Sequence, residues 1–161
     1  MRNGFVRLGG VQTIFEGGTD TPNGAKIAAL AGGGYVLNWN HAKEGSASKA
    51  FGQVYSDEGV KIGARFQNSW AGDNNGGAGG LPSVALTGGG IANAFGAFDY
   101  NNPVFLDHPS HSVFANVRDA EGKTVSGTSQ VNREIDYYAT PSGIGTLEGG
   151  AGLLLSGTKS E

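Results

Sequence analysis

The residues of this chain that could do chemistry are few and lie between apolar runs rather than inside them. "LDHPSH" puts Asp107, His108 and His111 in one short stretch. That spacing suits two or three of the four ligands a structural zinc uses. No fourth ligand stands out, and the chain has no cysteine to supply one. "DNN" at Asp73 to Asn75 and "DYNN" at Asp99 to Asn102 offer oxygens of the kind calcium takes. Asp and Asn are also the ordinary residues of turns. The expectation is no metal ligands and no cofactor, with calcium the one cation these turns could suit. There is no G-x-S-x-G elbow, no H-E-x-x-H, no P-loop and no glycine-rich turn leading into a helix. An acid–base enzyme would have to draw on Asp73, Asp99, Asp107 and Asp136 converging in a cleft. No catalytic residue is expected, and the chain is read as not an enzyme.

Binding chemistry is better represented. "NSWAGDNNGG" carries Trp70, Asp73 and Asn75, "NREIDYYATP" carries Asp136, Tyr137 and Tyr138, and "IFEGGTDTP" carries Phe15 and Asp20. Each stretch sets aromatic rings beside short acids or amides. A ring covers the apolar face of a pyranose, and the polar groups fix its hydroxyls. Trp70, Asp73, Asn75, Asp136, Tyr137, Tyr138 and Asp20 are therefore the candidate ligand-binding residues. The plainer reading is that these rings fill space between sheets while the aspartates cap turns.

The elements that must position these stretches repeat along the chain. "FGQVYSDEGVKIGARFQ" at 51 to 67 has a looser copy, "FANVRDAEGKTVSGTSQ", at 114 to 130, at a constant offset of 63. "IAALAGGGYVLNW" at 27 to 39 has copies in "SVALTGGGIANAF" at 83 to 95 and "IGTLEGGAGLLL" at 144 to 155. Leu30, Leu86 and Leu147 align, and Pro22, Pro82 and Pro141 precede the three copies. Each copy reads as two short strands around a glycine turn. The "SDEG" stretch reads as a second hairpin closed by a type I turn ending in glycine. One unit is thus four strands, and the period signals a repeat architecture.

The third copy stops after its first hairpin, and "GFVRLGGVQTIF" at 4 to 15 supplies the missing pair. The expected fold is all-β, with three four-stranded repeats and pseudo-threefold symmetry. The repeats span about 22–75, about 80–135, and 139–161 together with 4–18, in one domain covering 1–161. A β-prism and half of a six-bladed propeller both satisfy this pattern, as does a β-trefoil. An irregular sandwich with chance similarity is the bland alternative. Splitting a repeat between the termini would close the structure and remove exposed edges. The stretch 97 to 112 has no counterpart of equal length in the first repeat, and reads as an inserted surface loop.

Composition agrees. Thirty glycines in 161 residues are more than twice ordinary usage, and they punctuate short β-type runs such as "YVLNW" and "SVFANV". A net charge of −3 with scattered lysines and arginines argues against a nucleic-acid partner and a polybasic membrane anchor. No apolar run approaches the ~20 residues of a spanning helix, so no membrane insertion is expected. The N-terminus lacks the apolar core of a secretory signal. An extracellular or particle-associated setting would then be reached by another route.

The pattern at Ala28, Ala29, Leu30, Gly33, Gly34, Tyr35, Val36, Trp39, Gln53, Tyr55, Gly59, Lys61, Gly63, Phe66 and Gln67 resembles a known repeat. That repeat is found in very large secreted bacterial proteins of the RTX and calcium-binding adhesin type, and "QVN" at Gln130 to Asn132 continues the resemblance. It implies a β repeat in an attachment protein outside the cell. The calcium-binding nonapeptide of that family is absent here, so the resemblance carries over no site residue. The expected function is a non-catalytic binding or attachment module recognising surface carbohydrate, with a homo-oligomer as its working form. The alternative is a structural or assembly protein of a phage-like particle or cell-surface layer, with 97 to 112 as its contact.

Overall fold

A computed structural model describes residues 21–42, 48–69, 82–99, 110–131, 139–146 and 153–159. Every regular element among them is a strand, so the all-β expectation holds. The strands are β1 (Thr21–Ala29), β2 (Tyr35–Ala42), β3 (Lys49–Tyr55), β4 (Lys61–Gln67), β5 (Ser83–Ala85), β6 (Ile91–Asp99), β7 (Ser110–Arg118), β8 (Thr124–Gln130), β9 (Ala139–Thr146) and β10 (Leu153–Lys159). They form two four-stranded antiparallel sheets, ordered β1-β2-β3-β4 and β5-β6-β7-β8, and a two-stranded pair β9-β10.

The repetition in the sequence is repeated in the hydrogen bonds. In the first sheet Leu30 N–H donates to Gly34 O and Gly33 N–H to Leu30 O. In the second, Leu86 N–H donates to Gly90 O and Gly89 N–H to Leu86 O, the same turn 56 residues on. The later turns match as well. Ser56 N–H reaches Val60 O and Gly59 N–H reaches Ser56 O, as Asp119 N–H reaches Lys123 O and Gly122 N–H reaches Asp119 O, 63 residues apart. Gly59 and Gly122 both sit at positive φ, +79° and +85°, the left-handed position that favours glycine in such a turn. Strand registers agree too. Tyr35 faces Tyr55 as Ile91 faces Arg118, and Gly52 faces Phe66 as Ala115 faces Ser129.

Two sequence expectations shift in detail. Pro22 and Pro141 lie inside β1 and β9 rather than ahead of them. Both are tolerable because, among the described residues, β1 is an edge strand and β9 pairs with β10 alone, so neither needs a second ladder bond from the proline. The expected loop at 97 to 112 is shorter than it reads. Ala97, Phe98 and Asp99 pair with Ser112, His111 and Ser110, lengthening the β6–β7 hairpin. Its connection, 100–109, lies outside the described residues.

Directly paired residues share a face of a sheet, which sorts the packing. On the first sheet's inner face Val36, Val54, Phe66, Ala28 and Ile62 cluster with Ile91 of the second sheet. Ala50 of the same face packs on Phe95 and Phe114, whose rings stack at 5.7 Å. The second sheet therefore meets the first through its Ile91–Asn93–Phe95 face. β9 touches β5, β6 and β7 together, so it lies across a sheet face, not along an edge. Sheet one occupies the near face, which leaves β9 the far face, where Ala92, Ala94, Val113 and Ala115 are buried.

Gly52 is where the first sheet lets its own side chains in. A Cβ there would run into the Phe66 ring and the Asn38 side-chain oxygen. Gly127, on β8, would meet nothing within 4 Å. Gly52→Ala is expected to lower stability by about 2–3 kcal/mol through overpacking, and Gly127→Ala to change it by less than about 0.5 kcal/mol. Urea denaturation of the two variants against wild type measures both.

Candidate functional site

All seven residues expected to bind ligand, Trp70, Asp73, Asn75, Asp136, Tyr137, Tyr138 and Asp20, lie outside the described residues. So do Phe15, Asp107 and His108, while Asp99 and His111 are described only as backbone positions in β6 and β7. Among the described residues no group of three histidine, cysteine or acidic side chains could hold a metal ion. What the described residues do build is a polar junction between the two large sheets, and an aromatic face beyond it.

The junction is a closed circuit of hydrogen bonds, four between side chains and one to the Asn68 backbone carbonyl, in an otherwise apolar interface. Asn38 Nδ2 donates to Ser83 Oγ, and Ser83 Oγ donates to Asn93 Oδ1 at 2.7 Å. Asn93 Nδ2 donates to Asn116 Oδ1 at 3.1 Å, and Asn116 Nδ2 to the Asn68 carbonyl at 3.2 Å. Asn68 Nδ2 returns to Asn38 Oδ1 at 2.9 Å. Asn38 and Asn68 come from the first sheet and its end, and the other members from the second. All four asparagines are buried. A buried amide without partners costs about 1–3 kcal/mol. The circuit meets that demand only when the two sheets stand in this register.

Arg118 clamps one side of it. Its Nε donates to Asn68 Oδ1 at 3.2 Å, one terminal nitrogen to Gly122 O and Thr124 Oγ1, and the other to Gln67 O at 2.6 Å. The guanidinium carbon sits 4.3 Å from the centre of the Phe66 ring. Burial holds the Arg118 pKa below its ordinary value, and Asp119 pushes it back up. It stays charged at any working pH. None of its four hydrogen-bond partners is a carboxylate, so a cation only 8% exposed is held by neutral oxygens and a ring face.

Equivalent positions make the junction directional. By the 56- and 63-residue offsets, Ile91, Asn93, Phe95, Phe114, Asn116 and Arg118 correspond to Tyr35, Leu37, Trp39, Phe51, Gln53 and Tyr55. Those residues form the first sheet's outer face, not the inner face used in the junction. The two sheets therefore meet through unlike faces.

The outer face is aromatic. Tyr35 stacks on Tyr55 at 5.1 Å, Phe51 lies 6.2 Å from Trp39, and Arg65 stands 4.5 Å over Phe51. Trp39 and Tyr55 are 6% and 2% exposed, yet among the described residues Trp39 Nε1 and the Tyr55 hydroxyl have no hydrogen-bond partner. Burial, then the nearby Tyr35, raises the Tyr55 pKa, so the hydroxyl keeps its proton. The sequence reading missed both features. The signal was present in "YVLNWN", "IANAF" and "FANVR", where asparagines interrupt apolar strands.

No family model, no curated protein and no solved structure matches the chain.

Asn68→Ala is expected to cost about 3 kcal/mol, since it strips partners from Asn38 and Arg118 at once. Arg118→Lys, which keeps the charge but loses the planar fork, is expected to cost about 2 kcal/mol. Combining the two should give less than the sum, because both break one network. A double-mutant cycle read by urea unfolding checks the coupling.

Proposed function

We propose that this chain is a non-catalytic binding or attachment module whose three β repeats stack like propeller blades and recognise surface carbohydrate through the connections between repeats. The observation that carries it is the unlike-face junction. A β-prism turns like faces toward a shared core, whereas blades stack front to back. The first strands also meet in series: β5 touches β1 on one side and β9 on the other, as inner strands do around an axis. The third hairpin closes in the common register, with Thr146 facing Leu153 as Ala29 faces Tyr35 and Ala85 faces Ile91. In this reading residues 4–18 supply its second hairpin.

Blade stacking gives the candidate residues a shared logic. The connection from β4 to β5 carries Trp70, Asp73 and Asn75, and that from β8 to β9 carries Asp136, Tyr137 and Tyr138. The approach to β1 carries Phe15 and Asp20. These are equivalent blade-to-blade connections and would leave the stack at one rim. Repeated weak sites at a rim suit a multivalent glycan surface, where avidity multiplies modest affinities. The setting proposed is the cell exterior or a particle surface, as the resemblance to secreted adhesin repeats implies.

Assembly is the second reading, and one observation favours it. A junction between unlike faces is heterologous, the kind of contact that lets copies add head to tail. In that reading the chain is a subunit of a particle or surface layer and the linker aromatics are core.

Glycan-array binding followed by tryptophan fluorescence separates the two. The binding reading expects a saturable change that Trp70→Ala weakens at least ~10-fold, the loss of one aromatic anchor. Asp136→Asn and Tyr137→Ala should weaken it similarly. An array without a hit, together with a Trp70→Ala protein that assembles like wild type, would sink the carbohydrate reading.

A further inference from the structure

We infer, resting on the carbohydrate reading, that the sugar bound beside the first sheet carries an acidic group, a carboxylate or a sulfate, and that Arg65 and Lys49 receive it. The middle of that sheet's outer face is closed to a ligand, since Leu37, Gln53, Trp39 and Tyr55 are 8% exposed or less. The end nearest the connections is different. Phe51, Lys49 and His41 are half-buried there, and Arg65 is exposed. Trp39 faces Phe51 and His41 faces Lys49, so all four share the outer face. The His41 ring lies 5.8 Å from Phe51.

Two arginines stand over rings, and their donors are used differently. Arg118 sits 4.3 Å over Phe66, and neutral oxygens take its hydrogen bonds. Arg65 sits 4.5 Å over Phe51. Among the described residues the Arg65 guanidinium makes no hydrogen bond, and neither it nor Lys49 has a carboxylate partner. Stacking on a ring orients a guanidinium while leaving its in-plane N–H groups free. Those groups form the fork that grips a carboxylate or sulfate through two parallel hydrogen bonds. Arg65 is held in place with that fork unspent.

The fold does not require these cations. At the 63-residue offset Phe51 corresponds to Phe114, so the ring is kept, but Arg65 corresponds to Thr128 and Lys49 to Ser112. The second sheet has the same strand order without either charge. A charge on an edge strand also discourages unwanted strand pairing. That role is already met on β4 by Lys61, and it has no meaning for Lys49 on the central strand β3.

Chain position ties the cations to the proposed binding connections. Gln67 faces Phe51, and Ser69 bonds back to Ala50, its N–H donating to the carbonyl and its hydroxyl accepting from the N–H. Trp70 is the next residue. Pro22 faces His41, and Asp20 precedes Pro22 by two residues. Both connections of the first repeat therefore join the sheet beside Lys49, Phe51 and His41. The short acids and amides of the connections then serve sugar hydroxyls, and the two cations serve the acidic group.

The test is an array of neutral, uronic-acid and sulfated oligosaccharides of matched backbone, followed by titration of each acidic hit beside its neutral parent and beside polyglutamate. The full chain should bind an acidic form at least ~10-fold more tightly than the neutral parent, the worth of one charge-assisted contact. Added salt should erode that preference. Whether uronic acids or sulfates prevail distinguishes the two sources of charge. Arg65→Gln should remove the preference, and Arg65→Lys should keep part of it through charge without the fork. Lys49→Gln should reduce it about 2–5-fold. Unchanged circular dichroism and urea midpoint in these variants would show that the loss is not unfolding. Equal binding of acidic and neutral forms overturns the inference, as does a preference that survives Arg65→Gln. Polyglutamate bound as tightly as the acidic sugar overturns it too, since charge alone would then explain the contact. Neutral sugars bound in preference would remove the acidic assignment and leave the carbohydrate reading intact, whereas an array with no hit removes both.

Discussion

The polar circuit between the two large sheets is the constraint on which the rest of the structure depends. Apolar surface alone would let the sheets slide, since burial of area is nearly indifferent to register. Asn38, Ser83, Asn93, Asn116 and Asn68 are not indifferent. Asn38 Nδ2 reaches both Ser83 Oγ and Asn93 Oδ1, the other donors reach the acceptors named above, and a displacement of one residue would strand several buried amides at once. Arg118 adds a charge that can be held only where Gln67, Gly122 and the Phe66 ring come together. Such networks contribute little net stability and much specificity.

Direction follows from that register. Because the circuit joins the inner face of one repeat to the outer-type face of the next, the contact is polar in the way a staircase is. The first sheet keeps an aromatic outer face, and the far face of the second receives β9. Small residues at Ala92, Ala94 and Ala115 let that third layer approach closely. The junctions also differ in chemistry: amides and a cation in one, alanines in the other. That explains why the second repeat has drifted so far from the first. Equivalent positions such as Leu37 and Asn93, or Tyr55 and Arg118, meet different neighbours.

Much of the fold was legible in the sequence because turns and strands announce themselves locally. The glycine turns at Leu30–Gly34 and Leu86–Gly90, and the Ser56 and Asp119 turns, follow from backbone chemistry that any copy must keep. Strand bounds were less legible at Pro22 and Pro141, because an edge strand tolerates a proline that a central strand would not. The β6–β7 hairpin ran further than expected, since "AFD" and "SHS" read as loop without a partner in view. The interface was invisible for a different reason. Which asparagine meets which depends on a long-range pairing of sheets, and nothing in "YVLNWN" says that Asn38 will find Ser83 45 residues away. The residues proposed to bind sugar fall on the connections, where sequence gives residue type and position along the chain but no geometry.

Direct evidence for the unlike-face junction would come from engineered cysteines, in a chain that has none of its own. Asn38→Cys can be paired with Ser83→Cys, across the observed contact, or with Ala94→Cys, the residue equivalent to Asn38 that faces away on the second sheet. Mild oxidation followed by intact mass measurement reads out disulfide formation in each. The account predicts rapid intramolecular bonding in the first pair and free thiols in the second. A disulfide between positions 38 and 94, with none between 38 and 83, would mean that like faces meet, and the front-to-back account would be wrong.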